Sequence, residues 1–333
     1  MWSAVALVLL ALSLLTSPIA VLQLGVIILK LPFYAARVVV GYFLPSLISK
    51  DVTDENVLIT GGGGGLGTLM AIKFAQLGAK NIALLDINQE ALDKTKVRVE
   101  EASRGAGTNT KVHVLAADLS QESTTTKAME DITELIGGPI TILINNAGIV
   151  TGKKVTESPV KLMKLTMAVN IEAHFWTVKA VLPSMMAANR GHIVSIASSA
   201  GVIGVPGLGD YCASKHAVVG FDESIRLELQ NLGCTGVHTT CVCPFFIKTG
   251  MFEGAKSRWP RLLPLLEPDY AASKIVRAIR CNQEILLMPM AVHLTPIVRL
   301  LPVPIFDQIC KWFGVHDTMA EFKGRAGKSP KKD

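Results

Sequence analysis

An α/β chain, built as a single domain on a doubly wound parallel sheet and led by an N-terminal membrane segment, is the fold class this sequence predicts. Three observations predict it. From about residue 54 onward, short apolar runs alternate with longer helical stretches, a pattern that gives a parallel sheet with helices on both faces. The first apolar run leads directly into consecutive glycines, Gly61 to Gly65. And Met1 to Leu29 contains no charged side chain.

The leading run exceeds the roughly 20 apolar residues that cross a bilayer core. Lys30, Arg37 and Lys50 follow it, with no acid before Asp51, so the positive-inside rule turns the rest of the chain toward the cytosol. A cleaved signal peptide is the competing reading, opposed by a start without basic residues and by the length of the run. Pro18, Pro32 and Pro45 permit a re-entrant hairpin in place of a single span.

Val57 to Ile59 reads as a buried parallel strand, apolar on both faces. The glycines come next, and Thr68 to Leu77 then reads as a helix stopped at Gly78. Glycines let a backbone pass close to a pyrophosphate, and a helix N-terminus offers it free N–H groups and a positive dipole end. Strand, glycine run and helix in that order make a Rossmann-type unit rather than a flexible linker.

The second strand, Asn81 to Leu85, ends at Asp86, nineteen residues past Gly67. A carboxylate there accepts hydrogen bonds from ribose hydroxyls and repels a 2′-phosphate. Gly64 supplies no cation for such a phosphate. Both points favour NAD over NADP. The third strand, Val112 to Ala116, leads to Asp118, where a carboxylate meets an adenine edge, and the fourth, Ile140 to Ile144, leads to Asn145-Asn146-Ala147-Gly148.

Helices over Lys161 to Ala187 and Tyr211 to Leu232 are expected to carry the reactive groups. Tyr211 and Lys215 stand at i and i+4, one face of a helix. A phenol has an ordinary pKa of about 10, and an ammonium close by favours the phenolate. Ser198, thirteen residues before Tyr211, adds a hydroxyl able to hold the oxygen of an alcohol or carbonyl.

These motifs together resemble the short-chain dehydrogenases/reductases across about residues 54–255. Thr60-Gly61-xxx-Gly65-x-Gly67, Asn145-Asn146-Ala147-Gly148, Asn170 and the Ser198/Tyr211/Lys215 set match the family's motifs in order. The resemblance implies a catalytic tetrad of Asn170, Ser198, Tyr211 and Lys215, with substrate held by Ser198 and Tyr211. It implies cofactor contacts at Thr60, Gly61, Gly65, Leu66, Gly67, Asp86, Asp118, Asn145, Ala147, Gly148, Tyr211, Lys215, Ile247 and Thr249. Lys215 is expected to lower the tyrosine pKa, and Asn170 to hold a water linking Lys215 to solvent. One departure is visible: where the family often has Pro-Gly after the sixth strand, this chain reads Pro244-Phe245-Phe246-Ile247-Lys248-Thr249.

Finer likeness, in His174-Phe175-Trp176-Thr177 and Thr249-Gly250-Met251-Phe252-Glu253-Gly254, is to the membrane-associated branch of retinol and 17-beta-hydroxysteroid dehydrogenases. That branch implies NAD-dependent oxidation of all-trans-retinol to retinal, with a 17β-hydroxysteroid or other lipid alcohol as the alternative. It implies residence in the endoplasmic reticulum membrane or on lipid droplets, and it allows a homodimer. A membrane scaffold with little catalysis is the alternative of another class, and the intact tetrad argues against it.

Composition agrees. Half of the 333 residues are hydrophobic and 18% are charged, greasier than the usual soluble domain. The net charge of +6 suits an anionic membrane surface, and nothing resembles a nucleic-acid module. Residues 1–50 are thus expected as anchor, 51–255 as the dinucleotide-binding domain, 256–322 as an apolar substrate-side extension and 323–333 as a basic tail. Ile285 to Phe313 is apolar but broken by four prolines; a membrane-lying lid and ordinary core packing stay open for it. Six scattered cysteines, among them Cys241 and Cys243, and seven histidines form no metal-binding pattern.

Overall fold

Asn56–Thr60 (β1) is buried at all five positions, and its alternation places the two halves of the core. Val57 and Ile59 pack on one face of the sheet with Met70 and Phe74, while Leu58 faces the other with Ile132, Leu143 and Met185. Burying a side chain the size of Phe74 contributes about 1.5–3 kcal/mol. In this computed structural model the described residues are 22, 25–33, 36, 40, 44 and 47–324. The chain divides into two units, Met1–Ser49 and Lys50–Asp333.

In the second unit the elements alternate as expected. After β1 come α1 (Gly65–Gln76), β2 (Asn81–Asp86), α2 (Gln89–Gly105), β3 (Lys111–Ala116), α3 (Glu122–Ile136) and β4 (Ile142–Asn145). Next, α4 (Val160–Met167) passes through a π-helical turn, Ala168–Glu172, into α5 (Ala173–Ala188). The last strands and helices are β5 (Gly191–Ile196), α6 (Gly209–Asn231), β6 (Val237–Pro244), α7 (Pro268–Arg280), β7 (Ile285–Met288), α8 (Thr295–Val298) and α9 (Val303–Trp312). The strands form one parallel sheet in the order β3-β2-β1-β4-β5-β6-β7. Strand order reverses between β1 and β4, whose pairing sets Val57 against Ile142. In such sheets the crevice outside the carboxyl ends at that reversal is where ligands bind.

The sheet runs past residue 255, the limit drawn from sequence for the nucleotide domain. Residues 285–288 pair with β6, Cys241 opposite Ile285, and α7 covers them from the α1 side. The proline-broken apolar run therefore divides: its head is core, and the remainder folds into a 3₁₀ turn (Met290–Leu294), α8 and α9.

Of the first unit, residues 25–33 are helical, with Ile27, Leu29 and Phe33 exposed. Most of the expected anchor, and the basic tail from residue 325, lie outside the described residues. Among the described residues no helix is long and apolar enough to cross a membrane.

Candidate active site

The glycine run makes a tight loop from β1 into α1. Gly61 sits at φ +65°, and a Cβ there would lie 2.9 Å from the Ala147 Cα. A Cβ on Gly67 would lie 2.3 Å from the Gly61 carbonyl oxygen. Only glycine allows both approaches. The loop is pinned from below: Thr60 Oγ1 accepts from the N–H groups of Asn146 at 2.9 Å and Ala147 at 3.0 Å. Asn146 Nδ2 donates back to the carbonyls of Thr60 at 2.9 Å and Gly61 at 3.2 Å. At the end of β2, Asp86 accepts from the N–H groups of Gly63 and Asn88, both at 3.1 Å, which fixes the carboxylate beside the loop.

A cavity of about 810 Å³ opens above these groups. Gly61, Gly65, Leu66, Gly67, Asp86, Asp118, Ala147, Gly148, Ser198, Tyr211, Lys215, Ile247 and Thr249 all line it, so most of the residues singled out from sequence come together. Thr60, Asn145 and Asn170 do not line it and lie buried beneath. Asn145 Oδ1 accepts from Thr177 Oγ1 at 2.9 Å. Asn170 stands in the π-helical turn, a feature frequent at functional sites; its Oδ1 accepts from the Ile149 N–H and its Nδ2 donates to the Ile149 carbonyl and to Ser214 Oγ. Its side chain is thus committed to holding the 148–149 loop.

Sequence reasoning missed Asn146 and the aromatic wall. Asn146 stood in the quoted motif, but its role needs the third dimension: it joins the β4 loop to the glycine loop. Phe245, Phe246 and Phe252 line the cavity. Phe252 meets the Tyr211 ring edge-on at 5.6 Å between centroids and Phe246 at 4.9 Å. The only signal for the wall was the Phe245-Phe246 pair standing where glycine was expected.

α6 places Tyr211 and Lys215 on one face, the ammonium Nζ 5.7 Å from the centroid of the tyrosine ring. Lys215 Nζ donates to the Ile196 carbonyl at 2.7 Å. Burial pulls the Lys215 pKa down to about 8. Burial also pushes the Tyr211 phenol above its ordinary value, with a hydrogen bond to Ser198 pulling back. Within the chain's own groups, then, burial governs the phenol, and the lowering expected from Lys215 is not seen. Behind it, burial drops the imidazole of His174 to about 3, so that residue stays neutral and packs.

A second, smaller cavity of about 90 Å³ adjoins the first. Ser198, Phe245 and Phe246 line both. Its other walls are mostly apolar, among them Leu263, Val298, Phe306, Ile309 and Phe313, with the hydroxyls of Ser199, Thr295 and Thr318; α8 and α9 supply part of them. Of the three shared residues, Ser198 hydrogen-bonds the Tyr211 phenol.

Residues 319–323 run between two loops at the rim. The Lys323 N–H donates to the Glu253 carbonyl at 2.9 Å. A Cβ on Gly152 would lie 1.9 Å from the Phe322 ring, and one on Gly254 would lie 2.0 Å from the Glu321 carbonyl oxygen.

The large cavity fits a dinucleotide. Its floor is backbone made accessible by missing Cβ atoms, the helix N-terminus at Gly65 points a dipole into it, and carboxylates stand at one end with a Tyr–Lys pair at the other. The small cavity suits an apolar group bearing one oxygen.

A family profile described as short chain dehydrogenase matches residues 55–259. Epidermal retinol dehydrogenase 2 of Homo sapiens is 46% identical over 274 residues, covering 82% of this chain and 86% of that one. Retinol dehydrogenase 10 of Xenopus tropicalis is 36% identical over 295 residues, covering 82% and 86%. Among solved structures, a short chain dehydrogenase/reductase from Burkholderia phymatum in complex with NAD superposes with a TM-score of 0.65 at 28% identity, covering 75% of this chain and 94% of that one.

Proposed function

The chain belongs to the short-chain dehydrogenase/reductase family and is an oxidoreductase, and from that premise we propose that it oxidises all-trans-retinol to all-trans-retinal with NAD. The observation that carries the reading is that a nucleotide-sized cavity and a largely apolar cavity share Ser198, which hydrogen-bonds Tyr211. A lipid alcohol placed in the apolar side brings its hydroxyl to those two residues. The retinol dehydrogenases among the relatives support a retinoid over a steroid.

A bound nicotinamide cofactor supplies the hydride acceptor. The Gly61–Gly67 loop would hold its pyrophosphate, Asp86 and Asp118 its adenosine end, and Ile247 and Thr249 its carboxamide. Asp86, whose carboxylate stands against the loop, favours ribose hydroxyls over a 2′-phosphate, hence NAD. Ser198 orients the substrate hydroxyl, and Tyr211 as phenolate takes its proton. Lys215 supports the phenolate once a cation or substrate dipole offsets the burial. Holding both reactants in place provides much of the acceleration, and the proton transfer about 10²–10⁴-fold. Asn170 acts through the loop it holds.

The chain works at a lipid surface. The uncharged run Met1 to Leu29 anchors it in the endoplasmic reticulum membrane or a lipid droplet, with Lys50–Asp333 on the cytosolic side.

The test is NADH formation by membranes from cells expressing the protein, with all-trans-retinol and estradiol offered separately. Retinal production that Tyr211→Phe abolishes, while NAD binding is retained, is the expected result. Turnover of estradiol alone would move the substrate to the steroids. Wild-type activity in Tyr211→Phe would remove the phenol from the mechanism.

A further inference from the structure

The apolar cavity at Ser198 is too small for the substrate proposed above. Ordinary pockets for small organic ligands run from about 300 Å³ upward, against about 90 Å³ here. A polyene alcohol that reaches Ser198 therefore leaves most of its length outside the cavity, and what lies outside is informative. Leu294 lines the cavity and is half exposed. Beyond it large apolar side chains stand exposed: Ile297 is 64% exposed, Leu300 85%, Val303 69%, Ile305 50% and Trp312 56%. On α9, Phe306, Ile309 and Cys310, with Phe313 at its C-terminal cap, line the cavity at the 3–4 residue spacing of one helix face, while Ile305 and Trp312 lie on its exposed side, seven residues apart. Asp307, Gln308 and Lys311 are exposed on the same helix, but so many large apolar side chains exposed within one short stretch are rare on a water-soluble surface.

Charge says what covers it. Arg261, Arg299 and Lys311 lie in the same segments, against Asp307; the remaining pair there, Arg258 and Asp317, neutralise each other in a salt bridge. Trp312 stacks on Trp259 at 4.9 Å between centroids, an aromatic pair of the kind found at the level of lipid headgroups. Cations and indoles around exposed aliphatic side chains match an anionic lipid interface.

We propose that the face formed by residues 294–312 lies on a lipid bilayer surface and that substrate reaches Ser198 directly from the acyl layer, its tail remaining in the lipid while its hydroxyl is held in the cavity. The proposal rests on the lipid-alcohol reading and adds a second membrane contact within the Lys50–Asp333 unit.

The experiment uses the full chain reconstituted in phosphatidylcholine/phosphatidylserine vesicles whose acyl chains carry an alkyne tag. A photoreactive phenylalanine replaces Leu300 in one sample and Leu135, 53% exposed on α3, in another. Lipid adducts several-fold more abundant at 300 than at 135 are expected. Equal labelling would overturn the proposal, and so would adducts at 300 with a second copy of the chain in place of lipid. In parallel, Ile297→Asp combined with Leu300→Asp is expected to raise KM for vesicle-borne retinol several-fold, with unchanged kcat and unchanged oxidation of a short water-soluble alcohol. An unchanged KM for retinol would overturn the direct route from the bilayer. Labelling needs no turnover, so inactivity toward retinol with strong labelling at 300 would sink the retinol assignment and leave the docking face standing.

Discussion

Asn170 grips Ile149 by both of its backbone groups, accepting from the N–H at 2.8 Å and donating to the carbonyl at 3.0 Å. The same Nδ2 reaches Ser214 Oγ at 3.0 Å. One buried side chain thereby ties the loop after β4 to the helix that carries Tyr211 and Lys215. Asn170→Ala would leave these partners unsatisfied, at about 2–3 kcal/mol. A melting temperature lower by several degrees, with turnover reduced more than cofactor affinity, is the expected outcome in thermal scans and steady-state kinetics.

Gly67 and Gly65 separate packing from ligand space. A Cβ on Gly67 meets the Gly61 carbonyl oxygen at 2.3 Å, whereas one on Gly65 meets only the Thr249 side chain at 3.7 Å. Gly67→Ala should cost about 1–3 kcal/mol through forced backbone movement, visible as a lowered denaturation midpoint. Gly65→Ala should melt like the wild type and weaken NADH binding, measured by nicotinamide fluorescence.

Asp86 and Ile87 set the cofactor test. Ile87 lines the cavity next to the carboxylate and is 71% exposed. Asp86→Ala with Ile87→Arg removes a charge that repels a 2′-phosphate and adds one that attracts it. The ratio of kcat/KM for NAD over NADP should fall at least tenfold, about 1.4 kcal/mol. An unchanged ratio would take Asp86 out of cofactor choice.

Asp222, on the inner face of α6, is buried and its Oδ1 has no hydrogen-bond partner among the described residues. Burial pushes its pKa up to about 6 from 3.8, against the pull of Ser195 and Thr239. The folded state therefore binds this proton more tightly than the unfolded chain. Stability falls as pH rises from about 4 to about 6, and above that the full cost of the buried charge, on the order of 3 kcal/mol, is present. Asp222→Asn should raise the melting temperature at pH 7.5 and leave it nearly unchanged at pH 4.

Much of the site was legible because it is written locally. The glycine loop, Asp86 and the Tyr211/Lys215 pair each lie within one strand-turn-helix unit or one helical turn, and spacing alone brings them together. Asn146 was not legible in this way: its bonds to Thr60 and Gly61 span 85 residues or more. Nor was β7, four apolar residues ahead of a proline, which becomes a strand only because β6 offers it an edge. The dominance of burial at Tyr211 was equally hidden, since sequence shows which groups are neighbours and not how dry they are. The aromatic wall depends on the β6–α7 connection folding back so that Phe252 meets Phe246, which no spacing announces.

The berth of residues 319–323 has a consequence for how this chain tolerates change. Gly152 and Gly254 sit in different loops and share no contact that their sequence positions suggest. Yet each leaves room for the same short segment, one for the Phe322 ring and the other for the Glu321 carbonyl. A methyl group at Gly152 must displace the Phe322 ring and one at Gly254 the Glu321 carbonyl, so a change at either position strains the same segment. Two distant codons are thereby bound to a single fate, and the segment that binds them borders neither in the chain.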